Sequence, residues 1–376
     1  MIRKRLAILS PGGIGHGAFS QGLPAIGSLV ASLAERFEVT YYSLAPVDRG
    51  FVAPSGYRLR ALHAAVDAVN VKGLRWGEMT RRFLADHLAS RYDRLLSLWG
   101  YPMGAFAVGL ARTCRVPAAV MLLGAETADL PAIGYGQLGR PLSRRLVIET
   151  CRRTDALVAV AQAQLDALAR RGFARPDDHV VPIGAEAALF PLEVKRRTPP
   201  LKILNVGNLT AVKDQATLLR AFALLPRALG ARLRIVGEGS LRGELEALRR
   251  ELGLADRVEL VGAVPFATMA DHYRWADMFV LTSLSEGQNR ALTEAAMCGV
   301  LQVSTPVGHI ADLGETVAVV VRAGEPRHIA DRIAGIAGDG EGWERRVRAA
   351  RAWAASHDMA WTVDRLSAIL EELRAR

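Results

Sequence analysis

The stretch that decides the fold is Met278-Phe-Val-Leu-Thr282-Ser-Leu-Ser-Glu286-Gly-Gln-Asn-Arg290-Ala-Leu-Thr-Glu294-Ala-Ala-Met-Cys-Gly299. It begins with a run at 278–282 that shows no polar alternation, the pattern of a strand buried on both faces. Gly287 turns the chain, and a helix is expected over 290–298 before Gly299 ends it. A further run at 301–304 follows. Strand, turn, helix and strand in that order form a βαβ unit, whose two strands run parallel.

The same alternation extends in both directions. Strands are expected at 6–10, 38–44, 93–98, 118–123, 156–160 and 179–183 in the first half. In the second half they are expected at 202–206, 232–236, 258–261, 278–282, 301–304 and 317–321. Helical periodicity separates them at 23–36, 74–90, 103–112, 141–153 and 164–171, then at 214–226, 241–252, 268–275 and 290–298. After residue 340 the pattern is helical only, ending in 361–376. This order predicts the α/β class, with parallel sheets covered by helices on both faces. Two such series imply two doubly wound, Rossmann-like domains. A length of 376 residues, more than one core usually serves, supports the division.

Glu193-Val-Lys-Arg-Arg-Thr-Pro-Pro200 joins charge to two prolines before a fresh strand and reads as a linker. The expected domains are residues 1–195 and 196–355, followed by a terminal helix at 356–376. Open α/β sheets bind ligands at the carboxyl ends of their strands, so a cleft facing those ends is the expected site.

Composition narrows the function. Half of the residues are hydrophobic and 23% are charged, a globular balance. Cys114, Cys151 and Cys298 are far apart and fit neither a disulfide scaffold nor zinc spacing, which suits a reducing cytoplasm. The uncharged stretch at 10–34 contains six glycines and two prolines, so it reads as a loop feeding a helix rather than a membrane span. No export signal is legible before the first strand.

The net charge of +10 is uneven: residues 1–195 hold 24 basic and 16 acidic side chains, residues 196–376 hold 24 and 22. The first half therefore favours an acidic partner, whether membrane surface, anionic substrate or nucleic acid. Nucleic acid fits worst, since no DNA- or RNA-binding motif is present and the arginines are not interleaved with stacking aromatics. In the helix expected at 74–90, Trp76, Met79 and Phe83 stand beside Arg75, Arg81 and Arg82. Such a helix suits an anionic bilayer surface, or else it buries its aromatics in the core.

Three strand-to-helix turns of the second half carry chemistry. In the first, Glu286 sits at the turn and Glu294 in the following helix, whose unpaired N–H groups can hold anionic oxygens. Two carboxylates there can accept hydrogen bonds from a polyol. The alternative is one glutamate complementing the helix dipole and the other in solvent. In the second, Asn205-Val-Gly-Asn-Leu-Thr-Ala-Val-Lys213-Asp214, a lysine stands where an ammonium would complement phosphate; alone it could equally be a surface residue. The third is Val236-Gly-Glu-Gly-Ser240. Together they favour a phosphate-bearing ligand.

On these residues the second half resembles the donor-binding domain of the retaining glycosyltransferases of family four, also called glycosyl transferases group 1, with the GT-B fold. Glu286 and Glu294 match that family's two glutamates separated by seven residues, and Gly237-Glu-Gly239 and Val261-Gly262 match its strand ends. Lys213 matches the family lysine, but Asn208 stands at the position of its arginine. The resemblance implies a nucleotide-sugar substrate, no metal and no other cofactor. It implies that Lys213 neutralises the donor diphosphate, Glu294 accepts from the ribose, and Glu286 contacts the transferred sugar. Asn208, Gly237, Glu238, Val261, Gly287, Gln288, Asn289 and Arg290 complete the implied donor site, with Glu286 and Lys213 as its catalytic members. Arg290 is either a substitute for the missing arginine or an i,i+4 partner of Glu294.

The first half is less regular. Pro11-Gly-Gly-Ile-Gly-His-Gly17 is not Gly-x-Gly-x-x-Gly, which argues against a nicotinamide cofactor. The resemblance places Gly13, Gly15, His16 and Glu126 on the acceptor side, although Leu123-Gly124 stands where the family often has His-Gly. It also returns the terminal helix to the first domain. The function expected is a retaining transfer of a UDP- or GDP-linked sugar to a glycan or lipid-linked acceptor. The setting expected is cell-surface polysaccharide synthesis in the cytoplasm, with peripheral contact to an anionic membrane. An epimerase or hydrolase of the same fold, or a non-catalytic partner in glycan assembly, are the alternatives.

Overall fold

A computed structural model describes residues 3–20, 22–48, 51–54, 56–61, 72–192 and 199–374. The chain divides into two compact units, Met1–Ile183 with Met359–Arg376, and Gly184–Asp358.

The first unit runs β1 (Arg5–Ser10), α1 (Pro24–Leu33), β2 (Glu38–Ser43), β3 (Tyr57–Arg60), α2 (Lys72–Ala89), β4 (Arg94–Leu98), α3 (Ala105–Cys114) and β5 (Ala118–Leu122). It continues with a short antiparallel pair, β6 (Asp129–Leu130) and β7 (Tyr135–Gly136), then α4 (Pro141–Arg153), β8 (Ala156–Ala159), α5 (Gln162–Ala169) and β9 (His179–Val180). Seven parallel strands lie in the order β3-β2-β1-β4-β5-β8-β9. The central strands read as unbroken apolar runs because both faces are covered; every residue of β5 and β8 is buried.

The second unit contains β10 (Lys202–Val206), α6 (Gln215–Ala223), β11 (Arg232–Val236), α7 (Arg242–Glu251), β12 (Val258–Gly262), α8 (Met269–Trp275), β13 (Met278–Leu281) and α9 (Arg290–Met297). It ends with β14 (Leu301–Ser304), α10 (His309–Leu313), β15 (Val319–Val320), α11 (Pro326–Gly338) and α12 (Gly340–Ser356). Its six parallel strands lie in the order β12-β11-β10-β13-β14-β15.

The last helix, α13 (Met359–Glu372), belongs to the first unit. Val363, Leu366, Ile369 and Leu370 recur at helical spacing and enter the core that holds Leu29, Leu33 and Ile8. The Arg94 guanidinium donates to the carbonyls of Leu370 (2.5 Å) and Glu371 (3.1 Å), satisfying acceptors that a helix end leaves open.

Several expectations need correction. The second unit begins at Gly184 rather than at 196, because Ala185 and Phe190 are buried in its core. Residues 193–198 of the expected linker lie outside the described residues. The strand β3 and the helices α10 and α11 are additions to the expected elements, and β9 and β15 are shorter than the runs that suggested them. All three strands lie at sheet edges, where pairing on one side gives a weaker apolar signal. The amphipathic α2 turns its apolar face inward: Phe83 is fully buried, Met79 nearly so, and Trp76 packs edge-on against Phe106 at 4.8 Å. Arg81 and Arg82 both pair with Glu78. Those three apolar side chains therefore build the core instead of facing a bilayer.

Candidate functional site

In the second sheet the order reverses between β10 and β13. Loops leaving neighbouring strands at such a point diverge, and the opening between them is where open α/β sheets take ligands. The loop after β10 carries Lys213 and the loop after β13 carries Glu286. Their side chains meet there, Nζ lying 2.5 Å from Oε1.

Local chemistry fixes both residues. Asp214 adopts a left-handed conformation (φ 48°) and caps α6 by accepting from the Thr217 N–H at 3.3 Å. The Thr282 hydroxyl donates to the carbonyls of Lys213 (3.1 Å) and Asp214 (2.9 Å), and the Leu284 N–H donates to the Val212 carbonyl at 2.8 Å. Glu286 Oε1 also accepts from Ser283 Oγ (2.7 Å) and Asn289 Nδ2 (3.0 Å). Asn289 in turn caps α9, its Oδ1 accepting from the Leu292 N–H at 3.3 Å. Lys213 and Glu286 keep 19% and 11% of their side-chain surface exposed, so the pair is sheltered yet reachable.

Glycine turns line the same end of the sheet. The Gly207 N–H donates to the Val236 carbonyl at 3.0 Å, and the Gly237 N–H to the Gly262 carbonyl at 2.9 Å. Gly237 has φ 138°, and a Cβ there would sit 2.0 Å from the Gly207 oxygen, so no other residue fits. Glu238 ion-pairs with Arg242 at 2.6 Å and is half exposed, while Val261 lies in β12. Asn208 is exposed and offers no charge in place of an arginine. Gly287 packs against Gly308, where an added Cβ would meet the Gly287 oxygen at 3.1 Å. Gln288 reaches Thr293 at 3.5 Å.

A second group lies along α9. Glu294 is 6% exposed; its Oε2 accepts from the Tyr273 hydroxyl at 2.6 Å and its Oε1 pairs with Arg290 Nε at 3.1 Å. Arg290 also pairs with Glu186 and lies over the Phe266 ring at 5.7 Å. Burial pushes the Glu294 carboxyl up to about 7, against the opposing pull of Arg290 and the Tyr273 hydrogen bond. Arg290 thus forms the i,i+4 pair with Glu294 and is held between two carboxylates. Glu186, Tyr273, Thr282 and Ser283 join these groups without having been expected from the sequence. A polar Thr-Ser pair directly after an apolar strand is the signal that could have found the last two.

The structure brings Gly13, Gly15 and His16 together in the loop after β1. His16 Nε2 accepts from the Gly13 N–H at 2.8 Å, and the Gly15 carbonyl accepts from the Asp48 N–H at 2.7 Å. Glu126 has other partners. It is 1% exposed, accepting from the N–H groups of Gly100 (3.0 Å), Leu123 (2.8 Å) and Gly124 (2.9 Å). Burial raises its carboxyl above the ordinary range, with those backbone hydrogen bonds pulling the other way. Expected to face an acceptor, it instead clips two loops together. Among the described residues, no group of three His, Cys, Asp or Glu side chains could hold a metal ion, and no helix is long and apolar enough to cross a membrane.

A cation, an oriented carboxylate and glycine turns at one switch point can together take a phosphate and a hydroxylated ring. Comparison with known proteins agrees with that chemistry. Residues 200–339 match the family described as glycosyl transferases group 1. The D-inositol 3-phosphate glycosyltransferase of Xylanimonas cellulosilytica is 30% identical over 276 residues, covering 68% of this chain and 63% of that protein. A phosphatidylinositol N-acetylglucosaminyltransferase polypeptide of Arabidopsis thaliana is 26% identical over 201 residues, covering 53% and 45%. The chain thus spans about half to two thirds of the length of these relatives. Among solved structures, Anabaena HepE in complex with UDP and glucose superposes with a TM-score of 0.77 at 16% identity, covering 98% of this chain and 100% of that one. Sucrose-phosphate synthase of Thermosynechococcus elongatus gives 0.81 at 16% identity, covering 98% and 99%. The two structural likenesses show the GT-B fold, and residues 200–339, which hold Lys213, Glu286 and Glu294, form a domain of the group 1 glycosyltransferases.

Proposed function

We propose that the chain transfers a sugar from a UDP- or GDP-linked donor to a glycan or lipid-linked acceptor, with retention of configuration, in cell-surface polysaccharide synthesis. The observation that supports this most is the Lys213–Glu286 pair at the β10/β13 switch point. A nucleoside diphosphate gains negative charge as it departs, and a fixed ammonium beside it stabilises that charge. Glu286 then receives the sugar's hydroxyls, and Glu294 those of the ribose by sharing its lone pairs with Tyr273.

In this reading the bond from the anomeric carbon to the phosphate oxygen breaks while a bond to the acceptor oxygen forms on the same face. The acceptor's proton passes to the departing phosphate oxygen. Arg290 is neutralised by Glu186 and Glu294, so Lys213 carries the diphosphate charge without the arginine that Asn208 replaces.

The first unit takes the acceptor, through the loop holding Gly13, Gly15 and His16. Its excess of basic residues suits an anionic acceptor at a membrane's inner face. Relatives named for D-inositol 3-phosphate and phosphatidylinositol support an anionic polyol phosphate as one such acceptor. A thermal-shift panel of nucleotides and nucleotide-sugars tests the reading, since a bound ligand raises the melting temperature with the logarithm of its excess over Kd. A response confined to UDP, GDP and their sugars is expected; no response to any member overturns it.

A further inference from the structure

Glu286 is held by one oxygen. Its Oε1 accepts from Lys213, Ser283 and Asn289. No hydrogen bond to Oε2 is present among the described residues. A carboxylate oxygen offers about two lone-pair sites, so Oε1 is fully occupied and Oε2 is what remains to meet a ligand.

The three donors differ in what else they do. Lys213 is the cation that an arriving diphosphate attracts. Asn289 already caps α9 through its other amide atom. Ser283 has neither task and is 0% exposed, just past the end of β13. Its carbonyl accepts from Thr305 Oγ1 at 2.7 Å, and Ser304 Oγ donates to the Thr305 carbonyl at 2.8 Å. Thr282, Ser304 and Thr305 are likewise 0% exposed. A buried row of hydroxyls at the carboxyl ends of β13 and β14 therefore anchors the backbone of Lys213 at one end and the carboxylate of Glu286 at the other. Such hydroxyls cost free energy to bury unless each is bonded, and each one is.

We infer that Ser283 is a positioning residue of the donor site: its hydroxyl pins Glu286 Oε1 so that Oε2 faces the transferred sugar, and holds it there once Lys213 turns to the diphosphate. The inference rests on the proposed role of Glu286 toward the sugar. The terminal torsion of a glutamate is broad, so a carboxylate with fewer fixed donors samples more orientations and meets the sugar less often in the productive one.

Calorimetric titration of wild type, Ser283→Ala, Glu286→Gln and the double variant with UDP, UDP-glucose, GDP and GDP-mannose tests this. The quantity read is the affinity for the sugar-bearing nucleotide relative to the bare one. Ser283→Ala is expected to leave bare-nucleotide affinity within about twofold and to lower the ratio about fivefold. The double variant should match Glu286→Gln, because Ser283 acts through that carboxylate. Ser283→Cys keeps a weaker donor at similar volume; it should give an intermediate ratio, and it carries the test should the alanine variant fail to fold. An unchanged ratio in Ser283→Ala overturns the inference and leaves the proposed function standing. So does a double variant worse than Glu286→Gln by the full serine factor. A wild type that binds none of the four ligands overturns both.

Discussion

The two sheets reverse strand order alike, between β1 and β4 in one and between β10 and β13 in the other, but the loops at the reversals are furnished differently. At the second, two charged side chains face each other with one carboxylate oxygen left open. At the first, the loop after β1 closes on itself: His16 accepts from Gly13, the His16 carbonyl accepts from the Gly22 N–H at 2.7 Å, and the Tyr41 hydroxyl donates to the Gly12 carbonyl. The Glu126 carboxylate of the same unit is turned inward onto three N–H groups. One reversal presents charge and the other presents backbone shape. Under the proposed function, charge suits the diphosphate of the donor and backbone shape suits the acceptor.

The strongest way to break this contrast is Lys213→Ala. Donor turnover should fall by about 10²- to 10³-fold, the scale seen when one preorganised charge-stabilising group is lost, while stability measured by urea changes by under about 1 kcal/mol. A loss below fivefold would remove the diphosphate from the second reversal. Glu126→Ala is its opposite. Three sheltered N–H groups lose their acceptor, so unfolding should become easier by about 3 kcal/mol, with UDP affinity unchanged by calorimetry. If affinity fell instead and stability held, Glu126 would belong to a binding surface after all.

The third test concerns pH. In the fold, Glu294 protonates near 7 rather than at its ordinary 4.5, so the native state holds more protons than the unfolded chain between those values. Its contribution therefore favours the fold below 4.5 and is lost as pH rises toward 7, at up to about 1.4 kcal/mol per pH unit. Arg290, Glu186 and Tyr273 are the charged and titratable groups that act on it. His309 works the other way, since burial lowers it from 6.5 to about 4 and the fold gains stability as pH rises between those values. Urea unfolding at pH 5, 6 and 7 should show Glu294→Gln gaining a steeper rise with pH than wild type. An identical slope would mean that Glu294 ionises normally.

The smallest effect expected is from Asn208→Arg. A guanidinium restored at this exposed position should tighten UDP about threefold in dilute buffer and hardly at all in 1 M salt, where charges are screened within about 3 Å. Equal tightening at both salts would point to a contact other than charge.

What a sequence discloses of its fold depends on the kind of signal each feature leaves. Buried central strands such as β5 and β13 announce themselves as apolar runs, and Gly237 as a turn that admits no Cβ. Lys213 and Glu286 stand 73 residues apart; the resemblance put them in one site, and their direct contact is a tertiary fact set by the order of the strands that carry them. The edge strand β3, reading Tyr-Arg-Leu-Arg, hid because none of its four residues is fully buried, so it leaves no apolar run. Glu126 misled because a lone acid beside Gly124 looks the same whether it faces solvent or clips backbone; its burial is a tertiary fact. The inward turn of α2 was one of two readings the sequence left open, since an amphipathic helix has an apolar face in either setting.

The return of α13 to the first unit has a consequence for synthesis on the ribosome. Residues 5–183 emerge first, yet their core is incomplete until Val363, Leu366, Ile369 and Leu370 arrive. At elongation rates of about 5–20 residues per second, that wait is roughly 10–40 s. The second unit, contiguous from Gly184 to Asp358, has all of its own chain before the earlier one does. The earlier of the two units is therefore the one completed last, and a stalled or truncated chain would expose the apolar side of α1 rather than the sheet of the second unit.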